Sequence, residues 1–177
     1  MREDPTTPIE IKDISPDVFR HLMYYIYGGK IPDDEMKSRA KEIINAANRY
    51  GVATLKLEAE ACLVEGTTFC LENVMEHLIY ADSMNCALLK EAVMDYIMEN
   101  KAKVLEKISF DDAPGNLTRD LLAAVVRGER EEGGADGDNN TQFTTMRISE
   151  LRQKAHEKGL DVDGSREMLI AVLKENS

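Results

Sequence analysis

Tryptophan is absent from the 177 residues, and there are only three histidines, three cysteines and five prolines. Each scarcity closes a class of function. Cys62, Cys70 and Cys86 are odd in number and show no CxxC spacing, so neither a disulfide framework nor a zinc site is expected; reduced, buried thiols are the plain reading. His21, His77 and His156 lie on three separate elements, with no i, i+4 pair and no Cys or Ser set beside them as a nucleophile. No GxGxxG or GxxxxGK[ST] segment is present to cradle a phosphate, and Gly133-Gly134 sits in a polar stretch. Apolar runs are only a few residues long, too short to span a bilayer. The N-terminus, Met1-Arg2-Glu3-Asp4-Pro5, lacks the apolar centre of a secretory signal. These absences point to an intracellular protein, in the nucleus, the cytoplasm or both. Neither a membrane partner, a catalytic residue, a metal nor a cofactor is expected.

What is present is a normal globular balance of 43% hydrophobic and 31% charged residues, with a net charge of −11. That charge is uneven. Residues 1–140 hold 16 Lys+Arg against 27 Asp+Glu, a balance of −11, whereas residues 141–177 hold 6 of each, a balance of zero. An acidic body repels a phosphate backbone, so only the tail escapes that objection to nucleic-acid binding.

The first patterned segment is Ile9-Glu10-Ile11-Lys12, an alternation that predicts one short strand. Ser15-Pro16-Asp17 supplies a capping hydroxyl, a proline at the first helical position and an acid in the first turn, which together start a helix. Its stripe is Phe19, Leu22, Met23, Ile26 and Tyr27, and Gly28-Gly29 end it. Pro32-Asp33-Asp34 opens a second helix with the stripe Met36, Ala40, Ile43, Ile44 and Ala47, closed at Tyr50-Gly51. A third carries Leu55, Ala59, Cys62 and Leu63 and stops near Gly66. Thr67-Thr68 starts the next, with Leu71, Val74, Leu78 and Ala81, and after a break at residues 82–85 a long helix runs from Leu88 to Val104. A turn cluster at 112–116 precedes a short helix from Leu117 to Val126. Gly128–Asn140 offers alanine as its one apolar residue and reads as a flexible linker, because it buries too little surface to offset its ordering entropy. Beyond it, Ile148, Leu151 and Ala155, then Gly159-Leu160, then Met168, Leu169, Val172 and Leu173 predict two short helices around a glycine turn. The fold class is therefore mostly all-α, a helical array with at most one short strand near 9–12 and a small helix–turn–helix at the end.

Ile9–Gly29 (IEIKDISPDVFRHLMYYIYGG) and Asn45–Glu60 (NAANRYGVATLKLEAE) resemble the second half of a BTB/POZ domain. The matching pattern is a strand, an aspartate, a proline, a phenylalanine-led helix and a tyrosine–x–glycine end, then an alanine-rich helix closing in Tyr-Gly before a Leu-Lys helix. Glu72-Asn73-Val74, Leu78-Ile79-Tyr80-Ala81-Asp82, Leu88-Leu89-Lys90 and Ala92-Val93-Met94-Asp95-Tyr96-Ile97 resemble the helical (3-box/BACK-like) extension found in speckle-type POZ protein relatives. The resemblance implies residues 1–66 as the C-terminal half of a BTB/POZ domain, 67–127 as the extension and 128–144 as the linker. The strands and helices that form the usual BTB dimer face have no counterpart ahead of Ile9. The Ile9–Lys12 strand is therefore expected to lack its neighbours, and homodimerisation through that face is not expected.

Ile148, Leu151, Arg152, Gly159-Leu160, Gly164, Arg166, Met168-Leu169-Ile170 and Leu173 resemble a SAP motif, assigned to residues 145–177. That resemblance implies phosphate contacts from Arg147, Arg152, Lys154, Lys158 and Arg166, weakened by interleaved acids such as Asp161 and Asp163. The BTB resemblance implies a non-enzymatic adaptor joining a cullin scaffold of a ubiquitin ligase to a substrate that no feature identifies. Met1-Arg2-Glu3 fits the family's hydrophobic–x–Glu cullin motif, so Met1, Glu3, Leu78 and Tyr80 are the candidate cullin contacts. Tyr24, Tyr25 and Tyr27 read either as interface anchors or as half-exposed core. Two alternatives stand beside the adaptor: a DNA-, RNA- or chromatin-associated protein tethered by its tail, and a BTB fragment without activity of its own.

Overall fold

The computed structural model describes residues 11–107 and 139–176, with Gly115, Leu117 and Leu121 between them. Among the described residues the ordered elements are helices, and they divide into two compact units, Met1–Ala59 and Glu60–Ser177. Ile11 and Lys12 are irregular; the rest of the expected strand, Ile9 and Glu10, lies outside the described residues.

In the first unit, α1 (Pro16–Ile26) begins where the Ser15 hydroxyl accepts the Val18 N–H at 3.4 Å, with Pro16 occupying a position whose missing N–H costs nothing. The expected second helix is two: α2 (Asp33–Ser38) and α3 (Ala40–Tyr50). Arg39 sits at the break with φ −123°, its guanidinium shared between Asp17 and Glu35 at 3.5 and 3.3 Å. Both α1 and α2 pack on α3, burying Val18, Leu22, Met36, Ile43, Ile44 and Ala47. The helix ends at Gly51, whose φ of +69° and ψ of 27° form the left-handed cap the sequence predicts. The stripe of α1 is shorter than its periodicity suggests, since Ile26 is half exposed and Tyr27 is 82% exposed, beyond the reach of α3. Tyr24 is exposed as well, while the Tyr25 hydroxyl donates to Glu58 at 2.7 Å.

Helix α4 (Ala53–Gly66) carries the last residues of the first unit and the first of the second. In the second unit, α5 (Val74–Ser83) starts later than Thr67-Thr68 suggest. The backbone from Thr67 to Asn73 is held instead by side chains: the Thr67 hydroxyl donates to the Leu63 carbonyl, and the Asn73 amide bridges the Cys70 N–H and the Thr68 carbonyl. Asn85 at φ +52° turns the chain into α6 (Ala87–Glu99). The long helix expected to Val104 breaks at Asn100, whose side chain donates to the Tyr96 carbonyl, and resumes as α7 (Lys101–Lys107). The α5–α6 pair buries Val74, Leu78, Ala81, Leu89, Val93 and Ile97, with Phe69 edge-on to His77 and tilted against Tyr96.

Most of the predicted helix 117–126 lies outside the described residues; Leu117, which is helical, is fully buried. Past it come α8 (Asn139–Thr145), which begins inside the stretch read as linker, α9 (Ile148–Glu157) and α10 (Arg166–Glu175). Gly159 and Gly164 have φ of +67° and +139°, and the Ser165 hydroxyl accepts the Met168 N–H to start α10. Ile148, Leu151, Ala155, Leu169 and Leu173 close a small core that also takes in Ala87 and Leu88 of α6. None of the three cysteines is in a disulfide; Cys86 is buried as expected, whereas Cys62 and Cys70 are only half-buried.

Candidate functional site

A charged constellation lies in the second unit, where the tail meets α6. Glu60 on α4 has no exposed side-chain surface. A carboxylate in that position must be fully compensated. One oxygen accepts the N–H groups of Leu88 and Leu89 at 2.8 and 3.1 Å, two of the orphan donors in the first turn of α6. The other accepts a guanidinium N–H of Arg152 from α9 at 2.8 Å. Glu60 thus fastens three helices through one group.

Glu91 on α6 makes a second junction. It accepts the Ile148 N–H at the start of α9 at 3.2 Å and a guanidinium N–H of Arg166 at 3.2 Å, while the Arg147 Nε lies 3.8 Å away. Burial pushes its carboxyl above the usual range, and the pull of Arg147, the Ile148 N–H and Arg166 only partly offsets this. Arg166 also donates to the carbonyls of Thr144 and Met146, tying α10 back to the end of α8. Arg147 reaches Asp95 on α6 at 2.8 Å and, being 59% exposed, is the outermost of the three. Beside this junction runs a cleft of about 390 Å³, lined by Met94, Met98 and Met146 among apolar residues and by Lys90, Glu91 and Arg166 among charged ones. Lys90 is held by Asp82 at 2.7 Å.

The structure therefore draws Arg147, Arg152 and Arg166 together on the face of the tail that meets α4 and α6, each against a carboxylate. Lys154 and Lys158 do not join them: Lys154 is half-exposed, and Lys158 is exposed and donates to the Asn176 carbonyl. No local signal marks their acidic counterparts. Glu60, Glu91 and Asp95 look like ordinary acids of amphipathic helices until the tail is placed on them.

The candidate cullin contacts are scattered. Met1 and Glu3 lie outside the described residues. Leu78 has no exposure and belongs to the α5–α6 core, while its neighbour Ile79 is 43% exposed. Tyr80 is half-buried, and burial raises its phenol above the usual tyrosine range, with neighbouring Cys86 adding to the effect. Among the described residues no group of three His, Cys, Asp or Glu is placed to hold a metal ion, and no helix is long and apolar enough to cross a membrane.

Residues 1–67 match the family model of the BTB/POZ domain, which covers the whole first unit and all of α4. The match supports a protein-interaction adaptor, a type of module that is generally non-enzymatic. Among curated proteins, the chain is 34% identical over 106 residues to TD and POZ domain-containing protein 1 of Mus musculus, covering 60% of this chain and 28% of that protein. It is 35% identical over 104 residues to TD and POZ domain-containing protein 4 of the same species, covering 59% and 28%. The matched region thus spans little more than a quarter of these relatives.

Proposed function

We propose that the chain acts as a cullin-scaffold adaptor, with the outer edge of α5 as the docking surface. The observation that carries this reading is a BTB/POZ match at residues 1–67 followed directly by the paired helices α5 and α6, whose outer edge shows Ile79 and part of Tyr80. Since Leu78 is core, it supports the surface from beneath, and contact passes through Ile79 and Tyr80. Met1 and Glu3, which lie outside the described residues, are proposed as a separate contact. An apolar anchor beside a tyrosine suits a small recognition patch, because few residues carry most of an interface's energy. Binding of the chain to a cullin N-terminal domain, followed by interferometry, tests this: Ile79→Asp is expected to weaken it at least ~10-fold. No binding, even when the chain is extended upstream to a whole BTB domain, rejects the proposal.

A second reading, favoured by the glycine-turned pair α9–α10, is that the tail is a small phosphate-contacting helix–turn–helix using Arg147, Arg152, Lys154, Lys158 and Arg166. Titrating the chain into a labelled DNA duplex at low salt tests it, and an unmoved anisotropy rejects it.

A further inference from the structure

Three arginines of the tail face three carboxylates of α4 and α6: Arg152 with Glu60 at 2.8 Å, Arg166 with Glu91 at 3.2 Å and Arg147 with Asp95 at 2.8 Å. The geometry of Glu91 is that of a bound anion. Its carboxylate sits at the N-terminus of α9, takes the Ile148 N–H and is flanked by two guanidinium groups. A helix N-terminus beside arginines would offer the same donors to an external phosphate. Here the position is filled by the chain's own side chain, and the apolar seat around it, Ala87 and Leu88 against Ile148 and Leu151, is closed over. A guanidinium N–H that donates to one of these carboxylates cannot donate to an external phosphate at the same time.

We propose that Glu60, Glu91 and Asp95 act as an internal competitor, a carboxylate clasp that holds the tail shut and keeps Arg147, Arg152 and Arg166 from an external phosphate polyanion. The polyanion half of this proposal rests on the second reading above; the clasp itself does not. In the closed state the tail is a cap on α6. In the open state the guanidinium groups of Arg147, Arg152 and Arg166 are released from these carboxylates, on a tail whose own charge balance is zero.

The test uses the whole chain and two readouts, amide exchange of residues 148–157 and anisotropy of a labelled 20-base-pair duplex. Glu91→Lys replaces the seated carboxylate by a cation opposite Arg166. Glu106→Lys makes the same charge change at an exposed site on α7, away from the clasp. Glu91→Lys is expected to speed exchange of 148–157 by at least ~100-fold, leave residues 16–50 unchanged, and bind duplex at least ~10-fold more tightly than Glu106→Lys. Unchanged exchange at 148–157 overturns the clasp and leaves the second reading standing. Opening without tighter duplex binding than Glu106→Lys overturns the competition, and duplex binding by none of the proteins rejects the second reading with it. If Glu91→Lys loosens residues 16–50 as well, the swapped pair Glu91→Arg with Arg166→Glu decides. Protection restored to wild type supports the clasp, and protection still lost overturns it.

Discussion

Glu60 shows how a single buried charge can organise this chain. Its carboxylate has given up water, and in exchange it accepts two N–H groups from the first turn of α6 and a guanidinium N–H from α9. Such a group adds little net stability when intact, because desolvation consumes most of the Coulombic gain, yet removing it is expensive. Glu60→Ala leaves Arg152 half-buried without its anion and the α6 N–H groups without an acceptor. The expected loss is about 3–5 kcal/mol in urea denaturation of the chain. A loss below ~1 kcal/mol would show that water replaces the carboxylate at no great cost. Nothing in the local sequence marks Glu60 out. It sits in Lys-Leu-Glu-Ala-Glu, where alternating acids read as a solvated helix face, and its partners lie 28, 29 and 92 residues away. Non-local pairing of this kind is invisible to periodicity.

Helical elements were far more legible, because their signals are local. Ser15-Pro16 and Tyr50-Gly51 each act through neighbours within four residues, and both ends form as read. Apart from the break at Arg39 between α2 and α3, two helix boundaries departed from expectation where a side chain captures backbone: Asn73 delays α5 and Asn100 divides α6 from α7. Apolar spacing cannot register such captures, since Leu71 and Val104 keep the helical stripe in phase across them. Two glycines allow the logic of helix ends to be tested by the same substitution with opposite signs. At Gly51 there is room for a methyl group, so the cost of Gly51→Ala is purely the left-handed backbone, about 1–2 kcal/mol of destabilisation. At Gly66, the last residue of α4, a methyl group also meets nothing and no left-handed angle is required, so Gly66→Ala is expected to stabilise by about 0.4–1 kcal/mol. Thermal melts of the two variants read the difference directly. Equal effects would mean that the Gly51 cap is not formed in solution.

At the scale of the molecule, the second unit carries two groups whose burial sets a pH response, and both act in the same direction. Glu91 and Tyr80 each hold their proton to higher pH in the folded state than in the unfolded chain, chiefly through loss of water. A folded state that binds the extra proton gains stability below the group's unfolded value and loses it as pH rises through the folded one. For Glu91 the loss begins near the ordinary glutamate value of about 4.3, and for Tyr80 near the ordinary tyrosine value of about 10. Glu91→Gln keeps an acceptor for the Ile148 N–H without the charge, so the fall in stability that Glu91 contributes just above pH ~4.3 should be absent from it. The alkaline limb should be unaffected by that change and be reduced by Tyr80→Phe, which removes the ionisable hydroxyl and keeps the ring. Denaturation midpoints of the three proteins across both ranges separate the two contributions. If Glu91→Gln follows the wild-type curve on the acid side, the carboxylate is solvated and the tail is not seated on α6 as described. If Tyr80→Phe alone follows the wild type on the alkaline side, the phenol is open to water, and the whole of that ring, rather than its edge, is available to a docking partner.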